Sequence, residues 1–146
     1  MIHLTHKLKN HQSPVTTLTL PWEKRIRSRL RVVLDNGAEA GLFLPRGTVL
    51  HDGDLLVSDR GDVVRICAAD EALSTVTGHD PLTMARACYH LGNRHTPLEI
   101  DRDRIRYLHD PVLDEMIRGL GLDVRHDQAP FDPEAGAYGG GHHHHA

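Results

Sequence analysis

The chain has 146 residues, enough for one ordinary domain or two small ones. Its 17 Lys and Arg residues nearly balance 20 Asp and Glu residues, which argues against nucleic acid or an anionic membrane as the main partner. A long apolar run and a signal-type segment are both missing, so we expect a cytoplasmic location. Cys67 and Cys88 do not form a CxxC pair and are expected to be reduced thiols.

Residues 1–72 are predicted to form a small β-rich domain. Asn36-Gly37 favours a tight hairpin, and other turn residues separate short alternating segments. Five or six short strands at close spacing indicate a small sandwich or barrel. The predicted strands are residues 15–20, 29–34, 41–44, 55–58 and 63–68.

The pattern changes in residues 73–128, where strands alternate with helices. Asp80-Pro81 and Asp110-Pro111 each begin a predicted helix, because Asp accepts backbone N–H bonds as an N-cap and Pro fits the first helical position. Gly92 is predicted to end the first helix. The order strand, helix, strand, strand, helix, strand predicts a ferredoxin-like βαββαβ domain, so the chain is expected to be α+β. The predicted strands are residues 73–77, 97–101, 104–108 and 122–125.

The central hairpin of this domain gives a register that bears on a metal site. Pairing Ile100 with Ile105 places the apolar residues on one face, which supports that register. Continued backwards, the same pairing brings His95 beside His109. The sequence therefore predicts that these two imidazoles reach the same neighbourhood.

Histidine is the compositional outlier, with 13 residues. His90 and His95 are five apart and do not form a chelating pair on one helix face, so His90 is taken as structural and His95, in the turn, as the candidate ligand. Nickel and zinc take about four to six donors. The missing donors could come from water, from the tail, or from a second copy across a two-fold axis.

Residues 129–146 are predicted to be a flexible tail rich in Gly and His. A purification tag would explain the terminal histidines, but the run has four rather than six and is followed by Ala146 without an obvious vector linker. These features favour a native metal-binding tail. Its candidate ligands are His142, His143, His144 and His145.

Three segments carry a family resemblance. Residues 88–100 read CYHLGNRHTPLEI, residues 107–121 read YLHDPVLDEMIRGLG, and a Pro/Gly stretch leads to the histidine-rich end. Residues 41–56, GLFLPRGTVLHDGDLL, add to them. Together these segments resemble the urease accessory nickel metallochaperones.

The resemblance implies a homodimer with an N-terminal domain of peptide-binding type and a ferredoxin-like metal-binding domain. It also implies that both subunits contribute His95 as the central Ni(II) ligand at their interface, with His109 as an accessory ligand. Some family members have a further histidine where this chain has Pro111. The implied function is nickel delivery during urease active-site assembly, with the urease apoprotein and the urease accessory GTPase complex as partners.

Two other function classes stay open at this point. A peptide-binding adaptor with incidental histidines would show no metal-dependent stability. A general storage protein for zinc, copper or nickel would bind mainly through its tail, and Zn(II) or Cu(II) binding in vitro would not identify the cellular metal. An enzyme is not expected, because HExxH, a phosphate loop and a Ser/His/Asp order are all missing.

Overall fold

The computed structural model describes residues 1–135, which form two compact units, Met1–Ala69 and Asp70–Glu134. The second unit thus begins at Asp70, close to the predicted start at residue 73. Both units contain a sheet and few helices, so the chain is α+β. Among the described residues, none of the helices has the length and apolarity needed to cross a membrane. The predicted ligands His142–145 lie outside the described residues.

The first unit is built on one six-stranded sheet. Its elements are β1 (Ile2–Leu8), β2 (Thr16–Leu20), the one-turn helix α1 (Trp22–Arg25), β3 (Arg29–Val33), β4 (Glu39–Phe43), β5 (Leu55–Ser58) and β6 (Val63–Ala68). The strand order is β2-β6-β5-β1-β4-β3. Strands β1 and β4 are parallel, as are β2 and β6, and the other neighbours are antiparallel.

The sequence analysis missed β1, although this strand lies in the interior of the sheet. It pairs with both β4 and β5, and its Leu4 is fully buried. The predicted Asn-Gly hairpin between β3 and β4 is confirmed: Gly37 has φ of 91°, a left-handed conformation that glycine adopts without steric cost. The core of this unit is aliphatic.

The second unit alternates strands and helices as predicted. Its elements are β7 (Asp70–Thr77), α2 (Pro81–Asn93), β8 (Glu99–Ile100), β9 (Arg104–Leu108), α3 (Pro111–Gly119) and β10 (Asp123–Pro130). They form a four-stranded antiparallel sheet in the order β10-β7-β9-β8. Side chains from both helices and from the sheet share one buried cluster that includes Leu91, Tyr107 and Ile117.

The predicted hairpin register is confirmed where β8 pairs with β9, since Ile100 lies opposite Ile105. However, β8 covers only two residues. Pro97 has no N–H to donate, and the Thr96 N–H already bonds the Leu91 carbonyl at the end of α2. The ladder therefore stops at Glu99, and it does not carry His95 towards His109.

The last strand is longer than its prediction, residues 122–125. β10 continues to Pro130, which pairs with Asp70 of β7. Ala129 and Pro130, which the sequence places in the flexible tail, belong to this strand, and Phe131 after them is fully buried. The sequence analysis missed this extension because most side chains of β10 are polar. The strand is formed by pairing with β7, which lies about 50 residues earlier in the chain.

Both helices of the second unit begin as the sequence predicts. The Asp110 carboxylate accepts hydrogen bonds from the Val112 N–H at 2.9 Å and the Leu113 N–H at 3.2 Å, and Pro111 takes the first helical position. Asp80 caps α2 in the same way through the Leu82 N–H. These caps fix where each helix leaves the preceding strand or turn.

The cap of α3 gives a stability prediction. Replacing Asp110 with Ala leaves two backbone N–H groups without their carboxylate partner, and we expect the free energy of unfolding to fall by about 1 kcal/mol. Urea unfolding followed by circular dichroism measures the change. Glu115→Ala is the matched control, because Glu115 lies on the same helix with its side chain 82% exposed. Equal losses in the two variants would contradict a capping role.

Candidate metal centre

His95 lies in the turn that ends α2, and the backbone of this turn is tightly specified. The Thr96 N–H donates to the Leu91 carbonyl at 3.2 Å, and the His95 N–H donates to the Gly92 carbonyl at 2.9 Å. This pair of bonds is the Schellman motif, which commonly closes a helix around a glycine in the left-handed conformation. Here His95 takes the left-handed position, with φ of 59°.

The predicted role of Gly92 as the helix terminator is therefore wrong. Gly92 lies within α2, which continues to Asn93. The residue that reverses the chain is His95, which is the single non-glycine residue with positive φ in the part of the chain that the structure describes. A left-handed conformation costs an ordinary side chain roughly 1–2 kcal/mol relative to glycine. Such strain is concentrated at functional positions, where the side chain matters more than its local stability.

Two large apolar side chains close to this turn in sequence are exposed. Tyr89 is 65% exposed at the end of α2, and Ile100 is 47% exposed in β8, which is an edge strand of its sheet. A cleft of about 430 Å³ separates α2 from the β8–β9 hairpin and is lined by Met84 and Cys88, among others. Burial raises the pKa of the Cys88 thiol, which disfavours the thiolate that would bind a metal.

The chain after β10 returns to the neighbourhood of His95. The Glu134 N–H donates to the Leu98 carbonyl at 2.8 Å, and the Asp132 N–H donates to the Glu99 carboxylate at 2.9 Å. β10 and β8 are opposite edges of the sheet, so this segment crosses the whole sheet. Glu134, near the start of the tail, is thus held against Leu98, which is three residues after His95 in sequence.

His109 lies immediately after β9, together with Asp114 and His126. One ligand atom from each of the three residues lies within 4.8 Å of the other two, and this is the one such group of three within residues 1–135. The Asp114 Oδ2 atom is 2.9 Å from the Nε2 atom of His126 and 3.3 Å from the Nδ1 atom of His109. The two imidazole rings meet edge to face, with 4.2 Å between centroids.

The pairing of three strands assembles this group. Ser74 of β7 lies directly opposite Tyr107 of β9 and His126 of β10. Residues opposite each other in neighbouring strands point to the same face. All three therefore face Asp114, which projects towards the sheet from the first turn of α3.

Asp114 is an ionised group in a nearly dry position, with its side chain 2% exposed. The hydroxyl groups of Ser74 and Tyr107 each donate to its Oδ1 atom at 2.6 Å. Burial raises the pKa of Asp114, but the bonds from Ser74, Tyr107 and His126, with the charge of His109, together lower it further, so the pKa lies below its usual value. The carboxylate is therefore held in its charged form beside two imidazoles.

Sequence reasoning identified His109 but missed Asp114 and His126. Asp114 carried a usable signal, since a carboxylate three residues before the buried Ile117 lies on the apolar face of α3. His126 gave no such signal, because the predicted last strand ended at residue 125. The ion pairing of His126 with Asp114 depends on a contact between β10 and α3 that local periodicity does not encode.

Comparisons with known proteins cover nearly the whole chain. Residues 1–69 match the family model described as UreE urease accessory protein, N-terminal domain, and residues 71–146 match the corresponding C-terminal domain. The chain is 58% identical over 140 residues to the urease accessory protein UreE of Alkalilimnicola ehrlichii, covering 96% of this chain and 86% of that protein.

Two further relatives bear the same name. The protein of Proteus mirabilis is 56% identical over 134 residues, covering 92% of this chain and 83% of its own length. That of Escherichia coli O157:H7 is 48% identical over 146 residues, covering 99% and 95%. The chain therefore belongs to the UreE family of urease accessory proteins, which are chaperones and not enzymes.

Proposed function

We propose that the protein is a nickel metallochaperone that binds Ni(II) between two copies of the chain and delivers it during urease maturation. The observation that carries this proposal is the exposed imidazole of His95 in a strained left-handed turn. Glycine at this position would avoid the strain, so the use of histidine indicates that the imidazole has a function. Family membership supports the link to urease.

The second unit has features that suit a metal-binding dimer. Within this unit β7, β8, β9 and β10 are the first to fourth strands, so the sheet order β10-β7-β9-β8 reads 4-1-3-2. This order supports the ferredoxin-like assignment of the βαββαβ unit. The exposed Tyr89 and Ile100 supply apolar area near His95 for a two-fold contact. Such a contact turns one surface imidazole into a pair.

The remaining nickel donors are assigned to water and to the tail. His142 is the eighth residue after Glu134, whose backbone is anchored beside Leu98. Eight residues span at most about 28 Å when fully extended, and His95 is three residues before Leu98 in the chain. The proposed donors His142, His143, His144 and His145 are thus within reach of the site.

This arrangement suits transfer better than permanent storage. Two fixed imidazoles leave several coordination positions for exchangeable donors, so an incoming protein ligand can replace a water or a tail histidine without breaking the whole site. His109 is the proposed accessory ligand, at the end of β9. Zn(II) and Cu(II) are expected to bind in vitro as well, because imidazole suits all three metals.

The first unit is the proposed contact for partner proteins, of the peptide-binding type. Its sheet leaves β2 and β3 as edge strands, and Phe43 and Val33 are partly exposed beside β3. An exposed sheet edge offers backbone groups to an extended peptide. The proposed partners are the urease apoprotein and its accessory GTPase complex. The two free cysteines suit the reducing cytoplasm as the proposed location.

His95→Gly separates the ligand role from the structural role of the turn. We expect nickel affinity to fall by more than about 100-fold, because each subunit loses its imidazole. The free energy of unfolding should stay the same or rise by up to about 1 kcal/mol, because glycine removes the left-handed strain. Calorimetric nickel titration and urea unfolding measure the two effects.

His90→Ala is the matched control, since His90 is an exposed histidine five residues earlier on α2. It should leave nickel affinity unchanged. Light scattering on each variant verifies that a dimer persists without metal. Retention of tight nickel binding by His95→Gly would refute the proposed interface site, and the adaptor function would then explain the chain better.

The tail is tested by replacing His142–145 with alanine in the full chain. We expect about one tight Ni(II) per dimer to remain and the weaker additional ions to be lost, because the tail adds donors to a site fixed on the folded body. Equilibrium dialysis counts the ions. Complete loss of nickel binding would mean that the folded body holds no site.

Nickel affinity should also depend on pH. Protons and metal ions compete for the same imidazole nitrogen, so the affinity should fall as the pH is lowered from about 8 to about 5.5. Equilibrium dialysis at each pH, with circular dichroism to verify folding, measures the trend. An affinity that does not change over this range would count against histidine ligation.

A further inference from the structure

Three potential metal donors converge at one end of the second unit from three separate elements. His109 follows β9, Asp114 belongs to the first turn of α3, and His126 lies in β10. His109 and Asp114 are close in sequence, on either side of the start of α3, but local sequence does not bring His126 to them. Their juxtaposition is produced by the packing of α3 against β7, β9 and β10.

The distances match those between ligands of one transition-metal ion. Two donors bound to one ion at about 2.0–2.1 Å, with bond angles between octahedral and tetrahedral values, lie about 2.9–3.3 Å apart. The Asp114 Oδ2 atom lies 2.9 Å from the Nε2 atom of His126 and 3.3 Å from the Nδ1 atom of His109. An ion can therefore contact all three donors with only small side-chain movements.

The partners of the carboxylate are those expected around a metal ligand. The hydroxyl groups of Ser74 and Tyr107 donate hydrogen bonds to Oδ1, while Oδ2 lies beside the two imidazoles. Ligating carboxylates in proteins are characteristically fixed by such outer hydrogen bonds. Oδ1 thus holds the carboxylate in its orientation, and Oδ2 is directed to the position that an ion would occupy.

The location is also accessible from solvent. The His109 and His126 side chains are 35% and 54% exposed. Both line an open cleft of about 280 Å³, together with Leu73 and Gln128. A hydrated ion can enter this cleft, and the positions not taken by protein donors can keep water.

We propose that His109, Asp114 and His126 form a second transition-metal site that is complete within one protomer. Two imidazoles and one carboxylate with open positions suit Ni(II), Zn(II) and Cu(II). Metal binding requires the lone pairs of His109 Nδ1 and His126 Nε2, so a proton held on either atom must move to the other ring nitrogen or to solvent. The site extends the accessory role proposed for His109 and does not depend on the interface site at His95.

The alternative for the same geometry is a structural anchor, in which both imidazoles donate N–H bonds to Asp114 and no metal binds. A change in stability alone would not separate the two, because removing either histidine affects the anchor as well. The number of bound ions and the identity of their ligands do separate the two interpretations. Only in a metal site do the imidazole nitrogens coordinate an added ion.

The test uses the full chain with His95→Gly and His142–145 replaced by alanine, so that neither the interface site nor the tail contributes. Cu(II) is the probe, because it binds nitrogen donors tightly and its electron paramagnetic resonance spectrum reports coordinated imidazole. Calorimetry gives the stoichiometry. We expect one tight Cu(II) per protomer with two imidazole nitrogens.

His126→Ala in this background should weaken Cu(II) binding at least tenfold and reduce the coordinated imidazoles from two to one. His109→Ala should do the same from the opposite side of the site, which provides a second variant if the first folds poorly. Both keep the hydrogen bonds of Ser74 and Tyr107 to Asp114. His90→Ala is the matched control and should change neither quantity.

Asp114→Asn tests the carboxylate itself. An amide keeps the shape and an acceptor for Ser74 and Tyr107 but removes the charge, so Cu(II) affinity should fall while two imidazoles remain coordinated. If the background chain holds no tight Cu(II), or if neither His126→Ala nor His109→Ala affects the ion it holds, the group is a hydrogen-bonded anchor and the proposal is wrong. Neither result would bear on the interface site at His95.

Discussion

The buried carboxylate of Asp114 is the constraint on which the second unit depends. A charge that is 2% exposed must be compensated locally, because its removal from water is expensive. Compensation comes from Ser74, Tyr107 and His126, which lie in one row across β7, β9 and β10. These hydrogen bonds link β7, β9 and β10 to α3 through a single carboxylate.

The turn at His95 follows a different physical logic. A Schellman motif is already stable with glycine at its left-handed position, and this chain uses histidine there instead. The cost is small compared with the stability of a domain, and the α2 hydrogen bonds on one side and the β8–β9 hairpin on the other hold the backbone in place. The imidazole is thereby presented at a fixed point on an exposed surface, where a second chain can approach it.

The two histidine groups differ in how they obtain their ligands. The proposed site at His95 is incomplete in one chain and depends on a second copy, on water and on the tail, so its ligands can be exchanged stepwise. The group at His109 draws its three donors from one chain and has a carboxylate oriented by two hydroxyl groups. The proposed nickel delivery gains from both properties, because one proposed site can hold an ion while the other exchanges it.

The sequence by itself determined the elements with local signals: both Asp-Pro helix starts, the Asn-Gly hairpin and the Ile100–Ile105 register. These depend on contacts between residues close in the chain, which capping and periodicity report directly. Only the tertiary structure decided the central position of β1, the full length of β10 and the group of His109 with Asp114 and His126. Each of these depends on pairing between segments far apart in sequence, where the energy of a contact exists only once the sheet has formed.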